Sequence, residues 1–279
     1  MDERDWFEID EFGDGWWRIT EGDPVLRCHS FLVRDGDDAV LIDTGLGIED
    51  LPSVVEGLAG IDVPVVLTHS HWDHIGAAHR FDDVAIHGRE RTADGRVAID
   101  VLSEEFGQRP TQFVDDWLER GRSFPAGFEP DSYAIEAVDG VDSVEPGEEI
   151  AVGDRSLETV PIPGHSPGQL AVLDRTAGIC HAADVLEPGG EVFAQFDDSD
   201  LGAYLDTINR LIDLRDEGAF DTMTISHGDP LTGNDLAALD DVRTALERIL
   251  EGETGVEMVE THWGTVREST VGNVTVLYQ

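Results

Sequence analysis

The feature that most constrains this chain is a cluster of histidines and one aspartate that directly follows a short apolar run. Residues 63–67 are rich in β-branched side chains, which is typical of a buried strand. This run is followed in the sequence by His69, His71, Asp73 and His74. The end of a buried strand holds side chains rigidly, so we expect these four to point into one cleft. Imidazole and carboxylate groups are the usual ligands of catalytic zinc, and the sequence therefore predicts a metal site.

Backbone geometry divides these four side chains into two groups. Successive side chains of an extended backbone alternate between faces, which puts His69, His71 and Asp73 on one face. A helical turn at this point would swing His74 to another side of the same cleft. The arrangement suits two metal ions, one bound by His69 and His71 and the other by Asp73 and His74. The alternative is a polar loop whose histidines are merely solvated.

Four more short motifs place a potential ligand in a tight turn or at a strand end. Together with the cluster, the motifs are Val40-Leu41-Ile42-Asp43-Thr44-Gly45, His69-x-His71-x-Asp73-His74, Gly164-His165-Ser166-Pro167-Gly168, Cys180-His181-Ala182-Ala183-Asp184 and Thr224-Ile225-Ser226-His227-Gly228. In this order they resemble the motifs of the metallo-β-lactamase-fold hydrolases, of the glyoxalase II or lactonase type. Ala183 is one departure, because family members often carry glycine directly before the aspartate.

The resemblance implies how the candidate residues divide their roles. His165 is the third histidine on the first metal, and His227 completes the second. Asp184 bridges both ions, and Asp43 supports the site without binding a metal. The implied cofactors are two divalent ions, zinc above all, with manganese or iron as alternatives. Asp73 is the implied catalytic residue, since besides binding a metal it can steer the proton of an attacking hydroxide that bridges the ions.

The order of apolar segments is that of an α/β protein. Residues 16–20, 25–33 and 39–42 form consecutive predicted strands, and further strands follow the histidine cluster. Between 89 and 133, apolar residues recur at helical spacings among charged ones, which predicts an inserted helical lid. The resemblance implies a four-layer αββα sandwich, and we therefore expect one domain over residues 1–279 that carries this lid.

The expected reaction is hydrolysis of a small acyl substrate, namely a thioester, an ester or a lactone. Phe113 and Trp117 would form an apolar wall over the metals that suits an acyl group, unless they only pack the lid onto the sheet. Tyr204 is a further substrate-binding candidate, as a hydrogen-bond donor to the developing oxyanion. Two other functions stay open: a sulfur (persulfide) dioxygenase-like enzyme with a single iron, and a non-catalytic metal-binding protein.

Charge is the other strong constraint on this chain. Its 60 acidic and 18 basic residues give a formal net charge of −42, and the sequence contains no lysine. Such a surface repels itself in dilute salt, and it resembles the surfaces of proteins from salt-accumulating halophiles. The charge also argues against nucleic acid and anionic membranes as partners, which leaves a small-molecule substrate.

Signals for export or membrane insertion are missing from the sequence. The N-terminus lacks the basic region and apolar core of a signal peptide. No segment approaches the roughly 20 apolar residues of a membrane helix. We therefore expect a cytoplasmic protein, and the sequence carries no indication of its oligomeric state.

Overall fold

The computed structural model describes four stretches of the chain: residues 6–22, 27–99, 104–262 and 264–279. The side chains of Phe12, Glu104 and Glu105 lie outside this description, as do positions 25–26 of a predicted strand and 100–103 of the predicted lid. Within the described stretches the backbone forms three β-sheets and several α-helices, which confirms the α/β class.

The first sheet is built by the N-terminal half of the chain. Its strands, in sheet order, are β1 (Phe7–Gly13), β2 (Trp16–Glu21), β3 (Cys28–Asp35), β4 (Asp38–Ile42), β5 (Val65–Leu67), β6 (Val84–Ile86) and β7 (Asp142–Ser143). The first four pair antiparallel, whereas β4 to β7 pair in parallel. Leu32, Leu41 and Leu67 from three of these strands share one buried apolar core.

The helix that crosses from β4 to β5 is specified by the residues at its ends. Helix α1 (Leu51–Ala59) follows Asp50, whose side chain accepts a backbone hydrogen bond, and it ends at Gly60 with a left-handed φ of 77°. Leu51 and Val55 bury one helix face in the core of the first sheet. Parallel strands need such a crossover, so α1 allows β4 and β5 to end side by side.

The predicted lid contains less helix than expected. Between 89 and 133, the described residues form α-helix only over α2 (Glu104–Gly107) and α3 (Arg109–Glu119). Gly121 follows α3 with a left-handed φ of 72°, and Pro125 then opposes further helix because proline lacks the backbone donor. The apolar spacing predicted the helix around Phe113 but not the irregular chain after it.

The second half of the chain builds two further sheets. The strands of the six-stranded sheet are β8 (Glu149–Val152), β9 (Arg155–Pro161), β10 (Leu170–Asp174), β11 (Ile179–His181), β13 (Thr222–Thr224) and β14 (Leu231–Thr232). Their order in the sheet is β14-β13-β11-β10-β9-β8. The four-stranded sheet contains β12 (Glu191–Ala194), β17 (Val274–Tyr278), β16 (Gly264–Val271) and β15 (Glu257–Thr261), in that order. Helices α4 (Leu201–Asp216) and α5 (Ala238–Leu250) bury their apolar faces in the core of this half.

Contacts within the chain define two compact units. The first ends at Val144 and takes in Val152–Asp154, and the second comprises Glu145–Ala151 and Arg155–Gln279. The organisation as one domain therefore stays a prediction. Across the described stretches, every helix is too short or too polar to cross a membrane.

Candidate metal centre

In the first unit, the candidate ligands follow two neighbouring parallel strands. Ile42 of β4 lies beside Val66 of β5, so Asp43 and Thr68 leave the sheet at the same edge. The Asp43 amide donates to the Val66 carbonyl at 3.0 Å, which extends the pairing into the motif. The predicted convergence at a strand end is therefore built by parallel pairing, which brings the carboxyl ends of β4 and β5 together.

Glycines allow the two motif loops to approach each other through their backbones. The Thr44 amide donates to the His74 carbonyl at 2.7 Å, and the Gly76 amide donates to the Gly45 carbonyl at 2.9 Å. A Cβ atom at Gly76 would lie 2.2 Å from the carbonyl carbon of Leu46, so a side chain is excluded there. This close approach fixes His74 relative to the Asp43 loop.

Asp43 holds two of the candidate histidines through one carboxylate. Its Oδ1 accepts the Thr68 amide at 2.7 Å, and its Oδ2 accepts the Thr68 hydroxyl at 2.7 Å and His74 Nδ1 at 2.8 Å. Because the Thr68 hydroxyl donates to Asp43, its oxygen accepts from His69 Nδ1 at 3.0 Å. Both rings thus carry a proton on Nδ1 and present the lone pair of Nε2, the form in which histidine binds a metal.

The rings of the first unit cluster tightly. The His69 ring centroid lies 4.4 Å from that of His71 and 4.1 Å from that of His74. His74 Nε2 lies 4.0 Å from Asp73 Oδ1. The three histidines are buried, whereas Asp73 is partly exposed. The sequence predicts that these four side chains point into one cleft, and their division between two ions stays a prediction. Asp73 is the member with access to solvent.

In the second unit, one carboxylate oxygen lies between two histidines. Asp184 Oδ2 is 3.5 Å from His165 Nε2 and 3.5 Å from His227 Nε2. This exceeds the usual range of a hydrogen bond. It is close to the separation of about 3.4 Å between two ligand atoms that each bind one tetrahedral zinc ion at about 2.0 to 2.1 Å. The donor set therefore fits a divalent cation.

Backbone and side-chain contacts hold these three candidate ligands in place. His165 Nδ1 donates to the Phe193 carbonyl at 2.8 Å, which leaves the lone pair on Nε2. The Ser226 amide donates to the Ala183 carbonyl at 3.2 Å, and this bond ties the segment of His227 to that of Asp184. Ala183 itself has a left-handed φ of 46°, which explains why glycine suits this position in the resembling family.

Tyr204 is placed differently from the oxyanion donor that the sequence suggested. It is 1% exposed, and its hydroxyl lies 3.1 Å from the carbonyl oxygens of both Asp184 and Val185. A phenol has one proton to donate, and here it is directed at the backbone. A Cβ atom at Gly164 would lie 2.5 Å from Tyr204 Cα, so α4 packs directly on the turn that carries His165. Tyr204 therefore supports two segments that carry candidate ligands, and its role as an oxyanion donor stays a prediction.

The two lid aromatics predicted to line a substrate pocket are packed against the histidine motif. Phe113 and Trp117 are each 4% exposed. Phe113 lies 5.3 Å from the Trp72 ring and stacks on Trp117 at 5.7 Å, between ring centroids. This packing agrees with the alternative in which both residues attach the lid. Phe106 of α2 was not singled out as a site residue, yet its ring lies 4.6 Å from that of His71.

Glu21 is a buried acid that sequence reasoning did not find. Trp6 Nε1 donates to its Oε2 at 3.1 Å. A Cβ atom at Gly45 would lie 2.6 Å from Glu21 Oε1, which explains the glycine that follows Asp43 and Thr44. Burial raises the pKa of Glu21 from 4.5 to about 7, against the opposing effects of the Trp6 and Leu46 hydrogen bonds. No local pattern in a strand marks such a residue.

The raised pKa of Glu21 predicts a pH dependence of stability. A folded-state pKa above the unfolded value gives stability that is complete below pH 4.5 and is lost as the pH rises through about 7. The full loss amounts to about 3 kcal/mol, so Glu21→Gln is expected to stabilise the metal-free protein more at pH 8 than at pH 5. Urea unfolding of both proteins in molar KCl measures this difference. An equal effect at the two pH values would contradict it, and Glu251→Gln is the control for loss of one exposed negative charge.

Comparison with known proteins identifies the family of this chain. The model of the metallo-beta-lactamase superfamily matches residues 23–218. Human "acyl-coenzyme A thioesterase MBLAC2" is 30% identical over 241 residues, which cover 81% of this chain and 83% of that protein. The Bacillus subtilis "probable metallo-hydrolase YqgX" is 26% identical over 174 residues, which cover 62% and 72% of the two chains.

Solved structures share the fold at lower sequence identity. A beta-lactamase domain protein from Burkholderia ambifaria has a TM-score of 0.60 at 20% identity, with 88% of this chain and 78% of that chain covered. A metallo-beta-lactamase family protein from Thermus thermophilus has a TM-score of 0.57 at 20% identity, with 85% and 81% covered. The matched family model extends across the motifs from Asp43 to Asp184. This chain belongs to the metallo-beta-lactamase superfamily.

Proposed function

We propose that this protein is a metal-dependent hydrolase of acyl thioesters, with coenzyme A thioesters as the favoured class. The observation that carries the proposal is the donor set around Asp184, whose Oδ2 lies 3.5 Å from each of two imidazole nitrogens. The thioester class is supported by the human relative, which is named a thioesterase and aligns with 81% of this chain. Esters and lactones are the competing substrates within the same acyl chemistry.

The proposed cofactor is a pair of divalent metal ions, with zinc as the first candidate. Bound metals of this kind lower the pKa of a water molecule towards neutrality and polarise a substrate carbonyl. In the proposed arrangement the ligands are His69, His71 and His165 for one ion, Asp73, His74 and His227 for the other, and Asp184 for both. The donor set is nitrogen and oxygen only, which suits zinc, manganese or iron.

The protein's own residues then have separable tasks in hydrolysis. Asp73 is the partly exposed carboxylate of the set, and it accepts the proton released during attack on the thioester. Asp43 and Thr68 keep His69 and His74 in the tautomer that offers Nε2. Phe106 covers one side of the His71 ring and keeps bulk water from it.

The proposed function predicts thioester hydrolysis that depends on metal. Protein prepared in molar KCl and stripped with a chelator is expected to be inactive, and stoichiometric Zn²⁺ or Mn²⁺ is expected to restore thiol release from an acyl-coenzyme A. The same preparation is assayed on a p-nitrophenyl ester and on a lactone, where we expect lower kcat/KM. Full activity without metal would contradict the proposal. Oxygen consumption with a persulfide substrate and one iron per chain would instead support the dioxygenase.

A further inference from the structure

Ser70, the residue between two proposed ligands, is held by a buried carboxylate. Glu90 lies in a single helical turn after β6 and is 2% exposed. Its Oε2 accepts the Ser70 amide at 3.0 Å and the Ser70 hydroxyl at 2.8 Å. Parallel pairing of β5 with β6 sets Leu67 beside Ile86, so the chain segments that follow both strands run close enough for this contact.

We infer that Glu90 is a positioning residue for the histidine pair His69 and His71. Ser70 is their common neighbour, so fixing its amide and its hydroxyl fixes the peptide from which both rings project. The ring centroids lie 4.4 Å apart, and a metal ion that binds both requires their nitrogens to converge. Glu90 therefore acts on the ion through the geometry of this pair. The inference rests on the proposed function, because it assigns the pair to a metal.

The position of Glu90 complements that of Asp43. Asp43 fixes the loop at Thr68 and at His74, whereas Glu90 fixes it at Ser70 in between. Burying a carboxylate is costly unless its oxygens receive hydrogen bonds, and Ser70 donates two charge-assisted ones. Two buried carboxylates thus hold one short loop, and without Glu90 the stretch from His69 to His71 loses its central support.

Zinc affinity tests this inference independently of catalysis. The variants are Glu90→Ala, Glu90→Gln and Ser70→Ala, and affinity is measured by competition with a chromophoric chelator in molar KCl. We expect Glu90→Ala to bind zinc roughly 10- to 100-fold more weakly, the usual effect of removing a partner that orients a ligand. Glu90→Gln keeps an acceptor oxygen and should recover most of this loss. Ser70→Ala keeps the hydrogen bond from the backbone amide of residue 70 to Glu90 and loses the one from the hydroxyl. Its zinc affinity should therefore lie between those of Glu90→Ala and Glu90→Gln.

The control is a buried carboxylate that supports only the fold. Asp174 accepts the amides of Thr176 and Ala177 at 2.9 Å and pairs with Arg155 at 2.7 Å. Asp174→Ala should lower the melting temperature of the metal-free protein without weakening zinc binding. Equal loss of affinity in Asp174→Ala and Glu90→Ala would overturn the inference, since it would show a general effect of destabilisation.

The remaining outcomes separate this inference from the proposed function. A wild-type protein that binds no zinc, manganese or iron contradicts the proposed function. A wild-type protein that binds zinc while Glu90→Ala binds it equally well contradicts the role of Glu90 alone. If Glu90→Ala does not fold, Ser70→Ala decides: weaker zinc binding at an unchanged melting temperature supports the inference, and unchanged binding overturns it.

Discussion

Replacing Asp184 by alanine is expected to abolish hydrolysis and to weaken metal binding severely while the protein stays folded. The Asp184 carboxylate lies between two imidazoles, with Oδ2 3.5 Å from the Nε2 atom of each. Its removal deletes the proposed shared ligand, so the loss should exceed the roughly 10- to 100-fold that removal of a supporting residue causes. Metal content by elemental analysis and thiol release from an acyl-coenzyme A measure both effects.

Two further variants make the Asp184 result specific. Asp184→Asn keeps one carbonyl oxygen but removes the negative charge, so it should retain more bound metal than Asp184→Ala. Asp206→Ala removes an exposed carboxylate of α4 in the same unit and should leave metal content and activity unchanged. Substantial turnover by folded Asp184→Ala at saturating zinc would exclude Asp184 as the shared ligand.

Folding and activity are expected to require high salt. The formal net charge of −42 arises from 60 acidic and 18 basic residues, so the compact state in dilute buffer carries strong self-repulsion. Screening is nearly complete when the Debye length falls to about 3 Å, which takes about molar salt. We therefore expect the melting temperature and the activity to rise together with the KCl concentration.

The salt experiment must separate charge screening from loss of metal. Thermal melts are recorded by circular dichroism across KCl concentrations at saturating zinc, and again on the metal-free protein. A similar salt dependence in both series identifies self-repulsion as the cause. Multivalent cations should act at much lower concentration because each ion screens more strongly. A melting temperature that stays constant from dilute buffer to molar KCl would contradict the halophilic interpretation.

The parts of the site that follow from local sequence were predictable. The strand before His69 is apolar and β-branched, and the alternation after it placed His69 and His71 together. The order of the five motifs then indicated the family. These inferences use short spacings and one resemblance, and neither needs knowledge of which distant residues touch.

The supporting contacts were not predictable because they join residues far apart in the chain. Glu90 and Ser70 are separated by 20 positions, and Trp6 and Glu21 by 15. Glu90 stands among charged residues, so nothing in its neighbourhood distinguishes it from a solvated side chain. The predicted substrate role of Tyr204 has the same basis: its apolar helix face is visible in the sequence, but the carbonyl groups that it contacts are not.

Acidic residues also made one strand difficult to predict from the sequence. β1 (Phe7–Gly13) alternates Phe7 and Ile9 with Glu8 and Asp10, and this acidic content weakens the pattern of a strand. β1 is the edge of the first sheet, so its acidic side chains are solvated and discourage pairing with another chain. In a chain rich in acidic residues, Asp and Glu occur in strands as well as in loops. The difference in composition on which strand prediction depends is therefore smaller.

At Ala183, a side chain on a left-handed backbone lowers stability but stiffens the chain. A side chain at a φ of 46° carries a conformational penalty on the order of 1 kcal/mol that glycine avoids. Glycine, however, also widens the range of conformations open to the backbone beside Asp184. A chain that keeps alanine here gives up some stability for a stiffer neighbour of Asp184. Thermostability screens that reward only melting temperature would select glycine at this position and remove that stiffness.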